Sequence, residues 1–173
     1  ILEMKNIRKT FLGGKVVAND DVTLKILKGE KHAIVGENGA GKSTLMQILN
    51  GLYQPTSGEI FLNGNKVTID GPGDAAKLGI GMVYQHFMLV PTLTVVENMI
   101  LGVEPKKGLS LDLKSAREEV KRVSEKYGLA IDPDAYISDL SVGMQQRVEI
   151  LKILFKGANL LIFDEPTAVL TPG

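Results

Sequence analysis

Gly36-Glu37-Asn38-Gly39-Ala40-Gly41-Lys42-Ser43-Thr44 decides the reading of this 173-residue chain. The run meets the phosphate-loop spacing at every fixed position: a glycine, four residues, then Gly-Lys-Ser. Ala33-Ile34-Val35 leads into it and Leu45-Met46-Gln47-Ile48-Leu49 follows at helical spacing, the strand–loop–helix setting the pattern needs. Glycines let successive backbone N–H groups turn toward one point, and the helix behind them adds a positive dipole end. Such a nest suits a triphosphate tail. Gly36, Asn38, Gly39, Gly41, Lys42, Ser43 and Thr44 are therefore the candidate nucleotide-binding residues. Lys42 would reach the β- and γ-phosphates, and the Ser43 hydroxyl would ligate Mg²⁺. A glycine-rich turn without ligand is the bland alternative; Lys-Ser directly after the last glycine argues against it.

Bulk composition narrows the classes. The chain is long enough for one domain with a core of its own. Twenty Lys and Arg balance twenty Asp and Glu, so no global field points to nucleic acid or an anionic membrane. Cysteine is absent, which rules out disulfides and thiolate metal sites. No apolar run approaches the ~20 residues of a spanning helix, and Ile1-Leu2-Glu3-Met4-Lys5 does not look like a signal peptide. The chain starts at Ile1 rather than Met and stops at Gly173 after a strongly patterned strand, so it reads as a piece of something longer.

Strand patterns cover residues 2–11, 22–26, 31–35, 59–62, 81–84 and 160–164. Asn63-Gly64 suits a two-residue hairpin, since both residues tolerate positive φ. Helix patterns cover residues 42–50, 74–78, 95–101, 114–127 and 143–156, with Gly128 and Gly157 placed for helix C-caps. Residues 114–127 carry many charges and read as a solvated helix. The continuous apolar runs Ala33–Val35 and Leu160–Phe163 read as strands of a parallel sheet buried on both faces. The expected fold is α/β, a P-loop NTPase core with a parallel sheet, an antiparallel β flank and a helical subdomain. The core would take residues 1–91 and 141–173, and the helical subdomain residues 92–140.

Two further stretches carry chemistry. Leu160-Leu161-Ile162-Phe163-Asp164-Glu165 is an apolar strand ending in two acids, which places them where open α/β sheets bind ligands. Asp164 would hold Mg²⁺, and Glu165 would polarise the water that attacks the γ-phosphate. Alone, the pair reads equally as an acidic turn; the upstream phosphate loop tips the balance. In Leu140-Ser141-Val142-Gly143-Met144-Gln145-Gln146-Arg147, Ser141 is a good N-cap and Gly143 leaves the backbone open beside it. One nucleotide rarely needs two such helix ends on one chain, but a symmetric pair of domains could use both. An ordinary capped helix is the alternative.

In this order the three stretches resemble the nucleotide-binding domain of an ATP-binding-cassette (ABC) transporter. Val83-Tyr84-Gln85-His86-Phe87-Met88-Leu89 with Leu93-Thr94-Val95-Val96-Glu97-Asn98, and the run from Asp164 to Pro172, resemble its simple-sugar and nucleoside importer branch. The likeness covers essentially the whole chain. It implies ATP and Mg²⁺ as cofactors and Gln85 as the Q-loop glutamine that senses Mg²⁺ and the attacking water. It implies catalytic roles for Glu165, Gln85 and Lys42, and metal contacts for Ser43, Gln85 and Asp164. Phe11 matches the aromatic that stacks on adenine, although a packed strand residue is an equal reading. Residues 85–97 would line the groove for a coupling helix of an integral membrane permease. Ser141 and Gly143 would contact ATP held by a second nucleotide-binding domain, in a homodimer or in tandem on one polypeptide.

Departures from the family pattern are Val142 and Met144 in the signature, where Gly and Gln are usual, and Val169-Leu170-Thr171 where the D-loop ends in Asp. Val disfavours positive φ, so that turn must use ordinary backbone. The family's switch histidine lies beyond Gly173, and His32 and His86 stand in the wrong places to replace it. The polypeptide as it stands is accordingly expected to bind Mg-ATP and turn it over poorly. The complete protein is expected to energise import of nucleosides or simple sugars from the cytoplasmic face of the cell membrane, without direct nucleic-acid binding. The alternatives are a soluble ABC ATPase acting on nucleic acid or ribosomes, and an ATP-binding regulatory module without turnover.

Overall fold

The computed structural model describes residues 1–84, 87–103, 106–107 and 110–164. Its contacts divide the chain into a unit of residues 1–80 and a unit that begins at Gly81.

The first unit is built on an antiparallel sheet. Its strands are β1 (Leu2–Phe11), β2 (Val16–Ile26), β3 (Ser57–Leu62) and β4 (Asn65–Val67), in the order β2-β1-β3-β4. Leu2 and Met4 point into the core, alternating with Glu3 and Lys5. The next core residue is Ile7, an odd step that strict alternation forbids. A bulge resolves it: the pairing with β2 shifts between Met4 and Ile7, and Asn6 takes φ 51°. The Asn6 amide nitrogen Nδ2 donates to Asp21 at 2.7 Å, and its backbone N–H to Thr23 Oγ1 at 3.1 Å. The bulge thus keeps its polar groups satisfied.

β2 starts at Val16, six residues before the strand the sequence suggests. It pairs with β1 as far as Phe11↔Val16, and half-exposed Val16 and Val17 followed by Asp20 and Asp21 hide the alternation. The hairpin at Asn63-Gly64 forms as expected, with φ 51° and 82° and Leu62 opposite Asn65. Helix α1 (Lys42–Leu49) buries Leu45, Ile48 and Leu49, one face at i, i+3, i+4. Helix α2 (Pro72–Lys77) follows with Pro72 in its first turn.

The strand expected at 31–35 does not form; these residues have no regular structure. A strand exists through ladder partners. Among the described residues no strand pairs with this run, and Val35 is 91% exposed.

β5 (Ile80–Val83), which leads into the second unit, pairs with the strand at Leu160–Phe163 in a two-stranded sheet. Helices α3 (Val95–Ile100), α4 (Leu113–Lys126) and α5 (Val142–Phe155) pack together, and β6 (Lys106–Lys107) pairs antiparallel with β7 (Ser110–Leu111). The Leu160–Phe163 strand is β8. It is only partly covered, with Ile162 buried and Phe163 exposed, rather than closed in on both faces. Val95, Val96, Met99, Val120, Val123, Ile137, Val148 and Leu151 form the core. On α4 the buried stripe Ala116, Val120, Val123 recurs at i, i+4, i+7, so the charged residues form only its outer face. Emptying one such position, for example Leu151→Ala, costs about 2–5 kcal/mol.

Helix ends are closed explicitly. Gly128 and Gly157 end α4 and α5 with φ 66° and 85°, each with the paired 5→2 and 6→1 bonds of a Schellman cap. The first N–H groups of α3 are taken by the carbonyls of Ala135 and Pro133, both at 2.9 Å. Thr94 and Glu97 complete a capping box.

Candidate nucleotide-binding residues

The phosphate loop lies in the first unit. Ala40 N–H donates to the Glu37 carbonyl at 3.2 Å, closing the turn, and Leu45 N–H donates to the Gly41 carbonyl at 3.0 Å, starting α1. Gly36, Asn38 and Gly39 are exposed, and Lys42, Ser43 and Thr44 form the first helical turn. That turn carries N–H groups with no helical carbonyl behind them, and no acidic residue offsets its positive end. Gly41 is required twice over. Its φ is 85°, and a Cβ there would lie 2.1 Å from the Ala18 carbonyl oxygen. Strand β2 runs directly beneath the loop.

Asn19, next on β2, is buried, and its Nδ2 donates to the Gly41 carbonyl at 3.1 Å. Its Oδ1 is buried without a partner. The ammonium of Lys42 donates to the carbonyls of Gly36 at 2.7 Å and Glu37 at 2.8 Å. The cation is therefore held over the loop's own backbone, where an anion would meet it.

Phe11 ends β1 half-buried. It packs edge-on against Tyr53, with centroids 5.3 Å apart, and the Lys9 ammonium lies 5.0 Å from its ring centre. The packed reading of Phe11 has its partner in Tyr53.

Ser141, Gly143 and Asp164 belong to the second unit. Ser141 caps α5: it is extended, and its hydroxyl accepts from Met144 N–H at 3.4 Å. Val142 is the first helical residue and has no positive φ, as its branched side chain demands. Among the described residues, a Cβ on Gly143 would meet nothing within 4 Å. Asp164 stands at the end of β8, its N–H bonded to the Val83 carbonyl at 3.1 Å. Gln85 and Glu165 lie outside the described residues.

Three features escaped the sequence reading. The Thr94–Glu97 box was visible as Thr-x-x-Glu. Two hydrogen bonds from Thr94, first its N–H and then its hydroxyl, hold the Glu97 carboxyl below its ordinary value. Asn19 carries no local signal, because only tertiary packing brings it to the Gly41 carbonyl; the buried Glu149 was readable as the i, i+3 partner of Lys152 on α5.

A glycine-rich loop opening a helix, with lysine at its first position and a serine next to it, defines a nucleotide-binding domain of the P-loop class. The chain belongs to the ABC transporter family, whose model matches residues 19–168. It is 62% identical over 172 residues to the guanosine import ATP-binding protein NupO of Bacillus subtilis (strain 168), which covers 99% of the chain and 33% of that protein. It is 59% identical over 172 residues to the nucleoside import ATP-binding protein NupA of Lactococcus lactis subsp. cremoris (strain MG1363), with 99% and 34% covered. The chain thus spans about a third of the length of these curated relatives. Among solved structures it resembles the ADP conformation of MJ1267, an ATP-binding cassette of an ABC transporter. The TM-score is 0.85 and the identity 29%, covering 100% of the chain and 71% of that one. It also resembles the dimeric structure of MJ0796, a bacterial ABC transporter cassette, with TM-score 0.78 and 30% identity over 99% of the chain and 76% of that one. Among the described residues no helix is long and apolar enough to cross a membrane.

Proposed function

We propose that the full-length protein hydrolyses ATP to energise import of nucleosides or simple sugars through an integral membrane permease. It would work on the cytoplasmic face of the membrane. The observation that carries the ATP reading is the Lys42 ammonium held at the mouth of a glycine loop that opens α1. The import reading leans on the likeness to NupO and NupA, both named for nucleoside or guanosine import.

In this reading the loop N–H groups and Lys42 take the β- and γ-phosphates. Lys42 exchanges its two carbonyl partners for phosphate oxygens, so the cation needs no long search on binding. Phe11 gives its half-open ring to the adenine, braced by Tyr53. The hard oxygen donors Ser43 and Asp164, with the Gln85 amide, suit Mg²⁺, which keeps several waters and would neutralise charge on the transferred phosphoryl group. Glu165 takes the proton of the attacking water. Ser141 and Gly143 serve ATP held by a second nucleotide-binding domain; among the described residues Gly143 has no neighbour that requires a glycine. Residues 92–140 act as the helical subdomain, and residues 85–97 face the permease.

Glu165→Gln in the full-length protein tests the assignment. Binding should persist while phosphate release falls by at least ~100-fold, the usual scale for a lost general base. Loss of binding as well would make Glu165 structural.

A further inference from the structure

Ser141 caps helix α5, and one turn of its later half reaches back to the segment that follows Gln85. The Lys152 ammonium donates to the Met88 carbonyl at 2.8 Å. It also pairs with the Glu149 carboxylate at 3.2 Å, one turn earlier on the same helix, with side chains 16% and 4% exposed. The Glu149 carboxylate meets the ammonium from the same helix, so the pair fixes the lysine's direction. One turn later, Lys156 donates to the Leu101 carbonyl at 3.0 Å. The two lysines thus hold α5 to chain on both sides of α3.

The segment they grip is itself braced. Asn98 on α3 accepts from Val90 N–H at 2.8 Å and donates to the Val90 carbonyl at 3.1 Å. Leu89 packs on the α3–α4–α5 core. Met88 is thus held through its carbonyl while the residue itself is 64% exposed. A long aliphatic stem carrying one charge to a backbone carbonyl adds no specificity for a ligand; it transmits position.

We propose that Lys152, oriented by Glu149, is a positioning residue that makes residues 87–90 a rigid extension of α5. Displacement of the Ser141 end of α5 on nucleotide closure is then delivered to the segment that presents Met88. This rests on the importer reading given above.

The test uses the full-length protein co-purified with its membrane partner, with ATP as probe and steady-state ATPase as readout. Lys152→Met should lower kcat of the complex about tenfold with KM for ATP within about twofold, the mark of lost alignment rather than lost binding. Lys152→Arg, which keeps a cation at that reach, should recover at least about half of the activity. Glu149→Gln should fall in the same direction as Lys152→Met. A Lys152→Met complex with wild-type kcat overturns the proposal, as does equal impairment in Lys152→Arg with a lowered melting temperature. A wild-type complex that hydrolyses no ATP removes the importer reading and the proposal with it. Should Lys152→Met not fold, hydrogen exchange of the wild-type complex decides. ATP-dependent protection changing together at 88–91 and 142–150 supports the coupling, and a change confined to 142–150 overturns it.

Discussion

The start of α1 and the start of α5 are both helix N-termini with a glycine beside them, yet the two glycines answer to different constraints. Gly41 is enclosed by its own unit: the Ala18 carbonyl leaves no room for a Cβ, the backbone is left-handed, and Asn19 ties the carbonyl down. Gly143 is ordinary helix backbone with open space where a Cβ would stand. A glycine inside a helix costs roughly 0.5–1 kcal/mol against alanine, and none of the described residues comes close enough to Gly143 to require one. In the function proposed above, the first site would hold phosphate within its own unit, and the second would serve a nucleotide held on another domain.

Substitutions can break this contrast. Gly41→Ala should abolish ATP binding and destabilise the protein by about 2–3 kcal/mol, from strain plus a clash with backbone that cannot yield. Calorimetry and a nucleotide titration check both halves, and a stable protein that still binds would refute the enclosed-loop account. Gly143→Ala should leave single-domain affinity within about twofold and reduce steady-state hydrolysis by about 10–100-fold, since it obstructs only the face offered outward. Equal loss of binding would place Gly143 at its own domain's nucleotide.

A smaller effect sharpens the first half of the comparison. Asn19→Leu keeps the buried volume and removes the bond to the Gly41 carbonyl; ATP affinity should drop about fivefold to tenfold, the scale of one lost hydrogen bond. Unchanged affinity would mean that β2 shapes the loop by packing alone.

The smallest expected effect concerns α3, whose N-terminus is sealed rather than open. Glu97→Gln should cost roughly 0.3–1 kcal/mol of stability at neutral pH, the scale of a negative charge at a helix N-terminus. Because the native carboxyl is held below its ordinary value, its contribution is full above the unfolded-state range. It fades as pH falls through the native value. Denaturant midpoints of wild type and variant should therefore converge on acidification; a gap that widens toward acid would contradict the capping box.

The sequence carried some of this plainly. The phosphate-loop spacing located α1 and its lysine, Ser141 was recognisable as a cap, and Asn63-Gly64 predicted its own hairpin. These are local signals set by backbone chemistry. The strand expected at 31–35 failed because apolar continuity predicts burial only when neighbouring strands exist to supply it. The phase change at Asn6 and the early start of β2 were hidden because a bulge breaks the alternation that pattern reading relies on. Asn19 and the Lys152 bond to the Met88 carbonyl were illegible for a different reason: the bonded residues lie 22 and 64 positions apart in the chain.

The most direct measurement is a fluorescent-ATP titration of the full-length protein alongside its Lys42→Ala and Gly143→Ala variants. Lys42→Ala should weaken binding by at least ~100-fold, about 3 kcal/mol of charge-assisted hydrogen bonding, while Gly143→Ala binds like the wild type. Wild-type affinity in Lys42→Ala would contradict the account, because the loop would then not be where the nucleotide is held.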